Sequence, residues 1–252
     1  MPLRMRHLVA LPAHLPPMRL TPAVAGACAW LLDLRHEPDV DAWRACQASE
    51  HARAARFKFE LRARRYRAAH AGMRKVMAAH LGLAMRDWAW RTGEHGKPHC
   101  VVAQHGHFNL SHSEDWALLA WHPDVPLGVD IEWQQALPDQ DRLATHYFTP
   151  AEQAWMDEVD TAPERQTRFH RLWCAKEAVL KALGSGLRIA PRRVEVELGR
   201  GGGDTHIDLG PADGRAAGTR CRLTVTEVVL PAGLPARAAL ATVAPGYRCA
   251  CW

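Results

Sequence analysis

The chain reads as an α+β protein with helices and strands mixed along its length, built as two similar subdomains related by a pseudo-twofold. Three observations predict this. Strand-like runs alternate with helical periodicities through most of the 252 residues. The halves resemble each other weakly at an offset near 102: Leu31-Leu32-Asp33-Leu34 answers Val129-Asp130-Ile131-Glu132, and Ser49-Glu50-His51-Ala52 answers Ala151-Glu152-Gln153-Ala154. Each half also closes its long helical stretch on a glycine, Gly82 or Gly184, the usual helix stop.

Taken in order, Arg4 and Arg6 precede a short apolar run that Pro12, Pro16 and Pro17 interrupt before a signal peptide or membrane span is complete. A cytoplasmic protein is expected. Residues 27–34 alternate as a strand. In the helix that follows, Tyr66, Ala69, Met73, Val76, Met77 and Leu81 form one apolar stripe, with Arg62, Arg65, Arg74 and Lys75 off it. Gly96-Lys97-Pro98 is a stiff loop from which the lysine projects, and residues 108–113 read as a turn between apolar runs. Residues 116–121 and 127–133 are strands, and Pro123 and Pro126 flank the boundary between subdomains 1–123 and 124–252. Pro163 after Thr161 opens a second long helix, whose buried side is Phe169, Leu172, Trp173, Val179, Leu180 and Leu183. Residues 193–198, 222–229 and 238–243 are further strand candidates. The Gly-rich stretch 199–218 reads as a flexible connection, and its Gly-x-Gly start lacks the strand and helix of a dinucleotide loop.

A content of 48% hydrophobic and 23% charged residues fits a soluble globular chain. Seven scattered cysteines without Cys-x-x-Cys argue against a disulfide framework or a zinc knuckle. The net charge of +5 is uneven: residues 51–75 hold nine Lys or Arg against the single acid Glu60. That asymmetry suits an anionic partner, whether nucleotide, nucleic acid or acidic protein, or else a solvated helix face.

The chemistry concentrates in two segments. In a strand, Asp130 and Glu132 share one face roughly 6.6 Å apart, while Val129 and Ile131 take the other. Alone they could be a solvent-facing edge. Two carboxylates forced within ~4 Å repel by about 4 kcal/mol at an effective dielectric near 20, so a buried pair needs a cation, and hard oxygen ligands favour magnesium or manganese. On the second helix Glu177 and Lys181 stand one turn apart, either an exposed pair or the third carboxylate and an ammonium of the same cavity. Ser111 and His112 could donate to a phosphate or cap a turn. His95, His99, His105, His107 and His112 do not make a zinc site, because Gly96 and Pro98 break any helix that would gather them. No Gly-x-Ser-x-Gly elbow and no Walker loop occur, which removes serine hydrolase and P-loop readings.

Four segments in this order, Gly96-Lys97-Pro98, Phe108-Asn109-Leu110-Ser111-His112-Ser113, Gly128-Val129-Asp130-Ile131-Glu132 and the stretch from Phe169 through Trp173-Cys174-Ala175-Lys176-Glu177 to Lys181, resemble the Sfp-type 4'-phosphopantetheinyl transferases. The resemblance spans roughly residues 25–190. It implies the 4'-phosphopantetheinyl transferase fold, two similar halves in a monomer with coenzyme A in the cleft between them. It implies transfer of the phosphopantetheine arm of coenzyme A to a serine of an apo acyl or peptidyl carrier protein, releasing adenosine 3',5'-bisphosphate. By the family pattern, magnesium (or manganese) falls to Asp130, Glu132 and Glu177, and catalysis to Glu177 and Lys181. Coenzyme A contacts fall to Arg53, Arg65, Lys97, Pro98, Ser111, His112, Asp130, Lys176 and Lys181. At the helix position matching Glu177 the first half carries Arg74 or Lys75, so one half is suited to holding phosphates and the other to the metal and the proton. Two readings compete with the transferase: a nucleic-acid-binding module using residues 51–75, and a metal-dependent nucleotide pyrophosphohydrolase. Neither nucleic acid nor membrane is an expected partner of the transferase.

Overall fold

A computed structural model describes residues 16–22, 24–93, 95–184, 189–196, 198, 203–209 and 219–244. Strands β1 (Met18–Leu20) and β2 (Cys28–Asp33) lead to helices α1 (Val40–Arg44), α2 (Ala48–Ala54) and α3 (Glu60–Leu81). A small β3–β4 hairpin (Trp90–Thr92 and Pro98–Cys100) precedes β5 (His107–Ser113), β6 (Trp116–His122) and β7 (Leu127–Trp133). Helices α4 (Gln140–Tyr147), α5 (Pro150–Asp157) and α6 (Ala162–Leu183) follow, then β8 (Gly203–Leu209), β9 (Thr219–Glu227) and β10 (Ala236–Val243). The fold is mixed α+β. No helix among the described residues is long and apolar enough to cross a membrane.

The strands form two antiparallel four-stranded sheets, in the orders β1-β2-β6-β5 and β7-β10-β9-β8. Alternation along each strand decides what it covers. Leu31, Leu118 and Ala120 from the first sheet meet Val129, Ile131, Ala238 and Leu240 from the second in one shared core. The opposite face of the first sheet, with Trp30, Leu32 and Leu119, packs against Ala69, Met73 and Met77 of α3. The opposite face of the second, with Val225, Ala239 and Ala241, packs against Ala175, Ala178, Val179 and Ala182 of α6. The layers therefore run α3, first sheet, second sheet, α6, which puts β5 and β7 side by side at the edges of their sheets.

Both long helices stop where a glycine takes the left-handed conformation, Gly82 at φ 69° and Gly184 at φ 68°. Helix α6 begins at Ala162, with Thr161 capping Glu164 N and Pro163 in the first turn. The described cysteines Cys28, Cys46, Cys100 and Cys174 are free.

Three expectations change. Residues 108–113 are not a turn but most of β5, paired residue for residue with β6 around the tight turn at Glu114 and Asp115. The Gly-rich stretch 199–218 is not all connection: β8 lies inside it, where a complete antiparallel ladder to β9 supplies the backbone partners. The rest of that stretch lies outside the described residues. Residues 193–196 and 198 are not a strand. Pro191 opens a short 3-10 turn over Pro191–Arg193, and side chains take the backbone groups beyond it. The carbonyls of Pro191 and Val194 accept from Lys176 Nζ, and Val196 N donates to Glu152 Oε1.

Candidate active site at the seam between the sheets

Strands β5 and β7 run in the same direction without a backbone ladder; side chains of β5 bridge them. Val129 N donates to Asn109 Oδ1 at 3.0 Å, and Trp133 N donates to Ser113 Oγ at 3.1 Å. Ser111 Oγ donates to Asp130 Oδ1 at 2.8 Å, and Ser113 Oγ to Glu132 Oε2 at 2.8 Å. Phe108 and Leu110 point the other way, into the core under α3, which leaves His112 on the α3 side.

Gly128 sets the distance from β7 to α6. A Cβ at this position would lie 2.2 Å from Ala178 O and 2.3 Å from Ala182 N, so only glycine admits the helix backbone this close. That approach delivers Lys181 to the acids, its Nζ 2.6 Å from Asp130 Oδ1 and 2.9 Å from Ser111 Oγ. Asp130 is 3% exposed.

The carboxylates are under strain in this setting. Burial, then the charge of Asp130, pushes Glu132 up to about 7 against the pull of Ser113 and Lys181. Burial also raises Glu177, with Asp130 adding to it and Lys181 opposing. Asp130 Oδ2 is buried with no hydrogen-bond partner among the described residues. Asp130, Glu132 and Glu177, whose charges act on one another, offer the oxygen chemistry that suits a hard divalent cation. Among the described residues no three His, Cys, Asp or Glu are gathered as a ready ligand set, because Asp130 and Glu132 are turned to Lys181, Ser111 and Ser113.

The remaining expected site residues divide. His112 is exposed; partial desolvation first, then the charges of Lys181, His70, Arg53 and Arg65, lower its pKa. Arg53 is exposed, with its guanidinium 5.8 Å from the Tyr66 ring centroid. Arg65 pairs with Asp115 and Glu114, each at 2.9 Å. Lys97 does not project into solvent: it is 8% exposed, and its Nζ reaches across the seam to donate to Ala182 O at 2.5 Å. Pro98 is half-buried at the start of β4.

Three residues are placed elsewhere. Lys176 is 2% exposed and forms an ion pair of 2.7 Å with Glu152 of α5, so its ammonium holds residues 191–194 instead of facing the acids. One residue along an α-helix is a turn of about 100°, which separates it from Glu177. Arg74 is 1% exposed and donates to Glu50, Met85 O and Trp88 O, and Lys75 pairs with Asp39. Neither stands free to hold a phosphate. More widely, Arg64, Arg65, Arg67, Arg74 and Lys75 of the basic segment all pair with acids, which removes much of the naked charge a nucleic-acid face needs. Asn109 and Ser113 were not singled out from the sequence, although the polar alternation Asn109-x-Ser111-x-Ser113 is the period of one strand face.

Fold and site together define a protein with one buried and two half-buried carboxylates, a lysine beside them and flanking cations, set between two sheets. A family model described as the 4'-phosphopantetheinyl transferase superfamily matches residues 126–228, and one described as 4'-phosphopantetheinyl transferase, N-terminal, matches residues 37–124. The chain is similar to the phosphopantetheinyl transferase of Thraustochytrium sp., 31% identical over 199 residues, covering 72% of this chain and 69% of the relative. It is also similar to the 4'-phosphopantetheinyl transferase HetI of Nostoc sp., 34% identical over 143 residues, covering 56% of this chain and 60% of that protein. To the 4'-phosphopantetheinyl transferase Sfp of Bacillus subtilis it is 31% identical over 131 residues, covering 52% of this chain and 56% of that one. The chain belongs to the 4'-phosphopantetheinyl transferase superfamily. It spans less than two thirds of the Nostoc and Bacillus relatives it matches.

Proposed function

We propose that the protein transfers the 4'-phosphopantetheine group of coenzyme A to a serine of an apo acyl or peptidyl carrier protein in a magnesium-dependent reaction, as a holo-[acyl-carrier-protein] synthase. The observation that carries this is the seam cluster: Asp130 and Glu132 from β7, Glu177 and Lys181 from α6 and Ser111 and Ser113 from β5, in a member of this superfamily. In this reading residues 1–123 supply the phosphate side and 124–252 the catalytic side, and the enzyme works as a cytoplasmic monomer.

Asp130, Glu132 and Glu177 would hold the magnesium ion, which when bound neutralises pyrophosphate charge. Glu177, raised by burial, takes the proton from the carrier serine, directly or through a water. The serine oxygen then bonds to the β-phosphorus while the bond from that phosphorus to the bridging oxygen breaks. The leaving adenosine 3',5'-bisphosphate is stabilised or protonated by Lys181. Arg53, Arg65, Lys97, Ser111 and His112 orient the nucleotide end; Lys97 would exchange its bond to Ala182 O for a phosphate.

The test is incubation with coenzyme A, magnesium and a panel of apo carrier domains, read by mass spectrometry for the phosphopantetheine increment. No increment on any carrier sinks the assignment. Asp130→Ala should abolish loading with the fold intact, and an active variant contradicts the role given to Asp130.

A further inference from the structure

One buried charge cluster of the first half has no part in the mechanism above. Glu50 of α2 is 1% exposed and accepts from Arg74 of α3 at 3.0 Å, from Gln47 N at 2.7 Å and from His70 Nδ1 at 2.6 Å. Burial alone would raise this carboxyl. The bonds from His70 and Gln47 and the charges of His70 and Arg74 prevail and hold it at about 2. Glu50 is thus a fixed anion whose oxygens can only accept, which makes Nδ1 of His70 the donor.

The arrangement leaves the other ring nitrogen uncommitted. His70 Nε2 has no hydrogen bond among the described residues, and the side chain is 13% exposed. The ring is clamped between Tyr66, with centroids 4.0 Å apart, and Trp90, with centroids 6.0 Å apart. Tyr66 in turn carries the Arg53 guanidinium on its ring. His70 therefore stands in a row with Arg53, on the same α3-side wall as His112 and Arg65, close enough for its charge to act on His112. A carboxylate that takes one imidazole N–H fixes the angle of the ring, and in the imidazolium the second N–H then points outward as a donor suited to an anion.

We propose that His70 is a further substrate-binding residue that meets the nucleotide as an imidazolium, in which both ring nitrogens donate: its Nδ1–H is anchored on Glu50, and its Nε2–H donates to a phosphate oxygen of the nucleotide held by Arg53, Arg65 and His112. The proposal rests on the reading of this wall as the phosphate side. Glu50 and Arg74 then gain a purpose beyond joining α2 to α3, since they hold the histidine at one angle.

The experiment uses His70→Asn, because an asparagine amide can keep the bond to Glu50 while lacking the outward nitrogen. In carrier loading, the variant should show a KM for coenzyme A raised about tenfold with kcat within twofold, the loss expected for one charge-assisted bond to a ground-state phosphate. Its melting temperature should stay near that of the wild type. Repeating this with 3'-dephospho-coenzyme A assigns the phosphate. An effect that vanishes places the contact at the 3'-phosphate, and one that persists places it at the pyrophosphate. An unchanged KM for coenzyme A overturns the proposal. A second measurement needs neither turnover nor a folded variant: inorganic pyrophosphate is titrated into the wild-type protein without metal, and side-chain 15N resonances of histidine are followed. The His70 ring signal should move with saturation, and an unmoved signal also overturns the proposal. A wild-type protein that loads no carrier yet shows this shift defeats the transferase reading and leaves the His70 contact standing.

Discussion

Replacing Gly128 by alanine tests whether the approach of α6 to β7 sets the active geometry. The added methyl would sit 2.2 Å from Ala178 O and 2.3 Å from Ala182 N, both backbone atoms that cannot rotate away. Restoring ordinary contact requires the helix or the strand to withdraw by about 1 Å, the kind of overpacking that costs roughly 1–3 kcal/mol. At about 2–4 °C per kcal/mol for a chain of this size, the melting temperature should fall by several degrees. The chemical effect should be larger. Moving α6 back by that distance stretches the Lys181–Asp130 bond from 2.6 Å to about 3.6 Å, which is no longer a hydrogen bond. Misplacement on this scale costs on the order of a hundredfold in rate. The assay is carrier loading beside thermal denaturation on the same preparation. Gly128 has an ordinary backbone conformation, so alanine has no strained angle to adopt and any loss is steric. Wild-type turnover in Gly128→Ala would refute the argument that this contact positions Lys181.

The other predictions concern charge. A carboxyl raised to about 7 in the folded state stabilises the fold while protonated, so its contribution is present below pH 4.5 and lost as pH rises through 7. Melting curves across this window should show the wild type losing stability relative to Glu132→Gln, and parallel curves would contradict it. Magnesium added at pH 8 should raise the wild-type melting temperature more than that of Glu132→Gln. Lys176→Met strands Glu152 as an uncompensated buried charge and releases the carbonyls of Pro191 and Val194. Urea unfolding should show a loss of about 3–5 kcal/mol, much of it recovered when Glu152 is also replaced by methionine.

What could be read from the sequence followed the strength of its periodicity. The strand β7 runs from Leu127 to Trp133 because acids and β-branched residues alternate without interruption, and α3 and α6 stop where Gly82 and Gly184 require it. Strand β5 was obscured by its own chemistry. Asn109, Ser111 and Ser113 are turn formers when their side chains bond locally, but here those side chains are spent on β7. Roles of individual cations were harder still. Lys176 and Lys181 are five positions apart on one helix, about 140° around it, so one is turned to Glu152 and the other to Asp130; the helix separates them, and the acids that each face meets come from other elements. Arg74 shows the same point, since Glu50, its partner, lies on another helix.

The seam between β5 and β7 has a consequence for how such a site can change. Its width is fixed by the length of three small side chains, Asn109, Ser111 and Ser113, and not by the spacing of a backbone ladder. Trimming or lengthening those three would change the gap between β5 and β7 while both sheets keep every hydrogen bond of their own. The protein thus carries its gauge in side chains, adjustable by single substitutions, on a frame that need not move.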